Sequence, residues 1–142
     1  NADGHELNKQ GSASGQLVGG NLSILYSLLG SRDQMDTNGK ILFIEDLDEY
    51  LYHIDRMMQA LKRAGMLDNL AGLVIGGMSD MNDNAIPFGS SAEQSIYNAV
   101  KDFKYPVAFN FPVGHLDDNR TLMVGTEYIL EVKERAYLRY AL

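Results

Sequence analysis

One segment constrains the fold more than any other, because it joins a predicted strand to a cluster of acids and then to a predicted helix. The short apolar run at residues 41–44 predicts a buried strand. Four acidic side chains follow it, at Glu45, Asp46, Asp48 and Glu49. Apolar residues then recur at helical spacing from Leu51 onward. Because α/β proteins place chemistry where strands end, we expect functional groups here.

The rest of the chain alternates between apolar segments and segments of helical periodicity. Further strands are predicted at residues 15–21, 70–77 and 105–115, and the pair Gly19-Gly20 is interpreted as a tight turn. Helices are predicted from Leu22 with Asn21 as N-cap, from Leu51 to Ala64, and after an N-cap at Ser90 or Ser91. A hairpin of residues 121–124 with 128–132 and a last strand at residues 136–142 would complete an α/β domain with extra β structure.

Composition excludes several classes of protein. The 142 residues suffice for one domain with a core, and no apolar run approaches the roughly 20 residues that span a bilayer, so we expect no membrane segment. A net charge of −7 argues against nucleic acid as a partner, since such binding needs clustered Lys and Arg. The absence of cysteine excludes disulfides, thiolate metal sites and a cysteine nucleophile.

The first 16 residues have a different composition from the rest. Gly, Ser and Asn dominate them, so we interpret residues 1–16 as a linker or an extended entry strand, of which Asn1-Ala2 would be an expression remnant. Residues 17–142 would then form the folded domain.

Three sites compete for a chemical role. Glu45 and His115 each lie just beyond a predicted strand, and a fold that joins them could make a carboxylate–histidine pair; equally, the acid could cap a helix and the histidine could be a loop residue. The segment from Asp80 to Asn84 partly resembles a calcium loop, but Ala85 and Ser91 replace its glycine and glutamate, which favours a polar surface loop. No serine, Ser79 included, has the surroundings of a nucleophile.

Four motifs in this order and spacing resemble a known family. They are Gly19-Gly-Asn-Leu22, Gly39-Lys-Ile-Leu-Phe-Ile-Glu-Asp46 with Glu49, Tyr52-His-Ile-Asp-Arg-Met57, and Phe111-Pro-Val-Gly-His115. Together they resemble the C-terminal half of the LD-carboxypeptidases, a family of serine peptidases that includes microcin immunity peptidases. The resemblance extends from about Leu17 to Tyr128.

The resemblance implies a swivelling β/β/α-type domain from a two-domain enzyme with a Ser-Glu-His triad. Glu45 would orient the imidazole and His115 would act as general base, with Glu49 as the rival carboxylate. The serine would come from an N-terminal domain that is absent here. The family acts without a metal or other cofactor on murein tetrapeptides, releases D-alanine during cytoplasmic cell-wall recycling, and commonly forms homodimers. This sequence departs from the family pattern in having further carboxylates near the pair, at Asp48, Asp117 and Asp118. Such carboxylates could alter pKa values or the substrate preference, which argues against a simple transfer of the family's properties.

Overall fold

The computed structural model describes residues 1–141 as one mixed sheet of six strands with three helices. In chain order the elements are β1 (Gly11–Asn21), α1 (Leu22–Ser27), β2 (Ile41–Leu47), α2 (Leu51–Arg63), β3 (Gly72–Ser79), α3 (Ala92–Val100), β4 (Val107–Ala108), β5 (Glu127–Val132) and β6 (Ala136–Tyr140). Leu142, the end of the predicted last strand, lies outside the described residues. The α/β class predicted from the sequence is confirmed.

The order of the strands places the ends of the central strands together. In the sheet the order is β4-β3-β2-β1-β5-β6, with β1 to β4 parallel and with β5 antiparallel to both of its neighbours. Each parallel pair is joined through one helix, as parallel strands require. The carboxyl ends of β1, β2 and β3 therefore meet at one edge of the sheet, which is where α/β proteins bind ligands.

Both faces of the central strands are buried, which explains why their sequences are apolar throughout. On one face α2 contributes four side chains with no exposed surface: Ile54, Met57, Met58 and Leu61. The opposite face carries a second cluster that includes Leu17, Phe43, Val74, Tyr128 and Leu130. The two methionines thus serve as core filler.

Local signals located the helices correctly. The Asn21 side chain accepts a hydrogen bond from the Ile24 amide at the start of α1, and the Ser91 hydroxyl accepts one from the Gln94 amide at the start of α3. The amphipathic helix predicted from Leu51 to Ala64, just before Gly65, ends at Arg63, with Ala64 as C-cap.

The predicted glycine turn was wrong. Gly19 and Gly20 lie within β1 and pair with Phe43 and Ile44 of β2. Gly19 has a φ of 135°, and a Cβ there would overlap the carbonyl oxygen of Phe43. The glycine is needed because the two strands approach closely, and not because the chain turns.

The predicted C-terminal hairpin was also wrong. Strand β5 pairs with β1 on one side and with β6 on the other, so neither of its edges is open to residues 121–124, which form no strand. The strand predicted at residues 105–115 is reduced to Val107–Ala108, and a long loop follows. Residues 11–16, part of the predicted linker, belong to β1, as the alternative of an extended entry strand implies.

Candidate active site

Glu45 lies at the carboxyl end of β2, where the pairing with β3 is irregular. The register of the two strands shifts between Ile44 and Asp46, which is the signature of a bulge. Glu45 and Asp46 are both buried, with 7% and 2% of their surfaces exposed. Two adjacent buried carboxylates need hydrogen-bond donors, and each of them has a different set.

The loop after β4 brings His115 back to the end of β2. The amide of Phe111 donates to the carbonyl of Ile75, and the amide of Gly77 donates to the carbonyl of Val113, at 2.9 Å in both cases. The loop thus lies along the end of β3, next to the end of β2. This contact explains why residues so far apart in the chain become neighbours.

Glu45 and His115, 70 residues apart, form a short hydrogen-bonded pair. Glu45 Oε2 lies 2.7 Å from His115 Nδ1 and 3.3 Å from the His115 amide nitrogen. Because an ionised carboxylate only accepts, the contact assigns a proton to Nδ1, and in the neutral imidazole this leaves Nε2 with a free lone pair. The glutamate side chain is 9% exposed, whereas the histidine side chain is 51% exposed. A buried carboxylate therefore orients an imidazole that faces solvent.

Gly114 allows the two side chains to approach. It has a φ of 99°, and a Cβ at this position would lie 2.6 Å from Glu45 Oε2 and 2.7 Å from Glu45 Cγ. The Glu45 side chain thus packs directly on the backbone before His115. A larger residue would displace the carboxylate or the loop.

Asp46 accepts three hydrogen bonds from amide groups, namely the Asn21 side-chain amide, the Ser23 amide and the Leu47 amide. The Ser23 hydroxyl lies 2.8 Å from Asp46 Oδ2 and also 2.8 Å from Glu49 Oε1, so the two carboxylates share its single proton. These contacts tie the end of β2 to the start of α1. Asp46 faces α1, so it is Glu45 that faces His115.

Glu49, the rival carboxylate, pairs with a different histidine. Glu49 lies just before α2, and its Oε2 is 2.7 Å from Nδ1 of His53 in the first turn of that helix. Its Oε1 lies 2.8 Å from the Ser23 hydroxyl. This second carboxylate–histidine pair did not emerge from the sequence analysis, although the two residues are only four apart in the chain.

No serine hydroxyl among residues 1–141 is hydrogen-bonded to the His115 imidazole. The Ser79 hydroxyl donates to the His115 carbonyl at 2.5 Å, and the Ser23 hydroxyl lies between Asp46 and Glu49. The described part of the chain thus holds a carboxylate–histidine pair without a nucleophile in contact with it.

His115 lines an open cleft of about 590 Å³ together with Ser79, Asp80, Leu116, Asp117 and Asn119. Asp118 is instead paired with Arg120 at 2.7 Å, and this hydrogen bond holds the pKa of the carboxyl below its ordinary value. A larger cleft, about 670 Å³, contains neither Glu45 nor His115.

In the described region, residues 80–84 form no cluster suited to a metal ion, and no helix has the length and apolarity to cross a membrane.

Comparisons of the chain with family models and with curated proteins agree on one family. Residues 14–130 match the LD-carboxypeptidase C-terminal domain. The chain is 36% identical over 129 residues to the probable murein peptide carboxypeptidase of Bacillus subtilis, covering 88% of this chain and 39% of that protein. It is 30% identical over 124 residues to the microcin C7 self-immunity protein of Escherichia coli, covering 85% of this chain and 35% of that protein.

A solved structure extends the match to the fold. The muramoyltetrapeptide carboxypeptidase from Oxalobacter formigenes has a TM-score of 0.83 and 30% identity, covering 95% of this chain and 46% of that chain. The chain thus spans less than half the length of the relatives it matches. Its fold is that of the carboxypeptidase's C-terminal domain, and the chain belongs to the LD-carboxypeptidase family.

Proposed function

We propose that the chain is the part of a serine-type LD-carboxypeptidase that supplies Glu45 and His115 to a Ser-Glu-His triad. The observation that carries this proposal is the 2.7 Å contact between Glu45 Oε2 and His115 Nδ1. The substrate would be a murein tetrapeptide, cut at its L,D bond to release terminal D-alanine. This substrate agrees with the names of relatives in B. subtilis and O. formigenes.

Each residue has a defined step in the reaction. Nε2 of His115 takes the proton of the serine hydroxyl as it attacks the peptide carbonyl, and later delivers that proton to the departing D-alanine amine. Glu45 accepts a hydrogen bond from Nδ1–H throughout, so that it holds the reactive tautomer and stabilises the imidazolium. The half-exposed imidazole suits this role, because Nε2 remains accessible to a group from outside the chain.

The serine and its oxyanion hole would come from an N-terminal domain of the same polypeptide. Side chains with exposed apolar surface lie beside the ends of the strands: Leu47, Tyr50 and Leu116. We expect the chain alone to be inactive, and the full-length enzyme to act in cytoplasmic peptidoglycan recycling as a homodimer.

The test is release of D-alanine from a murein tetrapeptide by the full-length protein, with the 142-residue chain assayed beside it. The proposal predicts release by the full-length protein only. Release by the chain alone would contradict the split triad, and release by neither would contradict the proposed reaction.

A second candidate is a microcin-type immunity peptidase with the same triad. The 30% identity to the E. coli self-immunity protein favours it. Faster hydrolysis of a peptidyl-nucleotide than of the tetrapeptide by the full-length protein would select this function. A non-catalytic binding module on the same fold is the third alternative, and it predicts that both substrates stay intact.

A further inference from the structure

We propose that Ser79 is a positioning residue, whose hydroxyl holds the backbone of His115 so that the imidazole meets Glu45. The orientation of His115 by Ser79 is a property of this chain alone. Its catalytic consequence rests on the proposed function above.

Three polar contacts hold His115. Its amide and its Nδ1 both donate to Glu45 Oε2, at 3.3 and 2.7 Å. Its carbonyl accepts from the Ser79 hydroxyl at 2.5 Å. Ser79 ends β3, so this third contact ties the histidine to a rigid strand. The first two contacts share one carboxylate oxygen, and the serine supplies a second, independent attachment point.

Packing does little to hold the imidazole. Its side chain is 51% exposed, so few neighbouring atoms restrict its rotation. The loop itself is held by the Asn119 side chain, which accepts from the Gly114 amide at 3.1 Å, and by Leu116, which packs on Gly77. Neither contact acts on the His115 carbonyl. The N–H of the same peptide, that of Leu116, donates to the Gly114 carbonyl at 2.9 Å. Loss of the Ser79 hydroxyl would leave that peptide held only within its own loop and no longer tied to β3.

The same contact argues against Ser79 as a nucleophile. A hydroxyl carries one proton, and that of Ser79 is donated to a backbone carbonyl. A nucleophilic serine donates to the nitrogen of its base. The bond to the His115 carbonyl thus gives Ser79 a structural use of its only proton.

The first experiment uses the chain itself and needs no activity. NMR of the ¹⁵N-labelled imidazole, at a pH where His115 is neutral, reports which nitrogen carries the proton. We expect the Nδ1–H tautomer to dominate in the parent chain, to lose population in Ser79→Ala, and to return in Ser79→Thr. Ser31→Ala is the matched control, because Ser31 also donates to a backbone carbonyl, that of Leu28, but lies in a different loop. An unchanged tautomer population in Ser79→Ala would overturn the proposal.

The second experiment measures kinetics in the full-length protein. Ser79→Ala should lower kcat about fivefold to tenfold with KM within about twofold, and Ser79→Thr should restore it, since one orienting hydrogen bond is lost and then replaced. Complete loss of activity, with labelling of Ser79 by a fluorophosphonate in the parent protein, would identify it as the nucleophile and overturn the proposal. If the parent protein leaves the tetrapeptide intact, the proposed function fails, and the NMR comparison still decides the role of Ser79.

Discussion

Gly114→Ala is the substitution that most directly perturbs the Glu45–His115 pair while leaving both residues unsubstituted. The new Cβ would lie 2.6 Å from Glu45 Oε2 and 2.7 Å from Glu45 Cβ and Cγ. Ordinary contacts between carbon atoms are about 3.5–4.0 Å, so the glutamate or the loop must move by about 1 Å. We expect the hydrogen bond between Glu45 and His115 Nδ1 to break.

The magnitude follows from two separate costs. An alanine in the left-handed region, here with φ of 99°, loses about 1–2 kcal/mol of folding free energy. Loss of a hydrogen bond to a charged group adds about 1.5–3 kcal/mol. We therefore expect the free energy of unfolding to fall by about 2.5–5 kcal/mol. In the full-length protein, a misplacement of about 1 Å should lower kcat about 100-fold.

Gly89→Ala is the matched control. Gly89 has a φ of 85°, similar to that of Gly114, but a Cβ there meets no atom within 4 Å. It should therefore show only the backbone cost of about 1–2 kcal/mol. Urea unfolding measures the free energy of unfolding of both variants. NMR of the His115 imidazole reports which ring nitrogen carries the proton, and hence whether the hydrogen bond to Glu45 is kept. If Gly114→Ala matches Gly89→Ala in stability and keeps the parent tautomer, the packing of Gly114 on Glu45 is not what positions the pair.

Two further predictions concern stability. Asp46→Ala removes the acceptor of the Ser23 amide and of two other amide donors, together with one of the two carboxylates beside the Ser23 hydroxyl. The free energy of unfolding should therefore fall by about 3 kcal/mol, whereas exposed Asp33→Ala should change it by less than about 0.5 kcal/mol. Equal urea midpoints for the two variants would contradict this prediction. Burial raises the pKa of the Tyr105 phenol, so the unfolded chain ionises first and stability falls by about 1.4 kcal/mol per pH unit above about pH 10. Tyr105→Phe should remove that part of the slope and exposed Tyr50→Phe should keep it; an unchanged slope in Tyr105→Phe would refute the assignment.

The elements that the sequence predicted well are those with local causes. The apolar run at residues 41–44, the caps at Asn21 and Ser91 and the helical spacing after Leu51 each depend on neighbours in the chain. The glycine pair was misinterpreted because its cause is the backbone of Phe43 on another strand. The hairpin at residues 121–124 failed for a similar reason, since β1 occupies that side of β5.

The candidate site shows the same limit. Spacing alone does not decide whether Glu45 and His115 form a pair, because residues 70 apart in the chain are brought together only by the fold. The motif resemblance was needed to link them. The hydrogen bond from Ser79 to His115 spans 36 residues and has no local signal. The pair of Glu49 and His53 is local, since the two residues lie four apart at the start of α2.

The most direct test of the account compares two carboxylates in the full-length protein. Glu45→Gln removes the partner of His115, and Glu49→Gln is the matched control on the carboxylate that pairs with His53. The measurement is kcat for D-alanine release from a murein tetrapeptide. We predict a loss of about 10³- to 10⁴-fold for Glu45→Gln, similar to that for His115→Ala, and less than about tenfold for Glu49→Gln. Full activity in Glu45→Gln, or the large loss in Glu49→Gln instead, would contradict the triad.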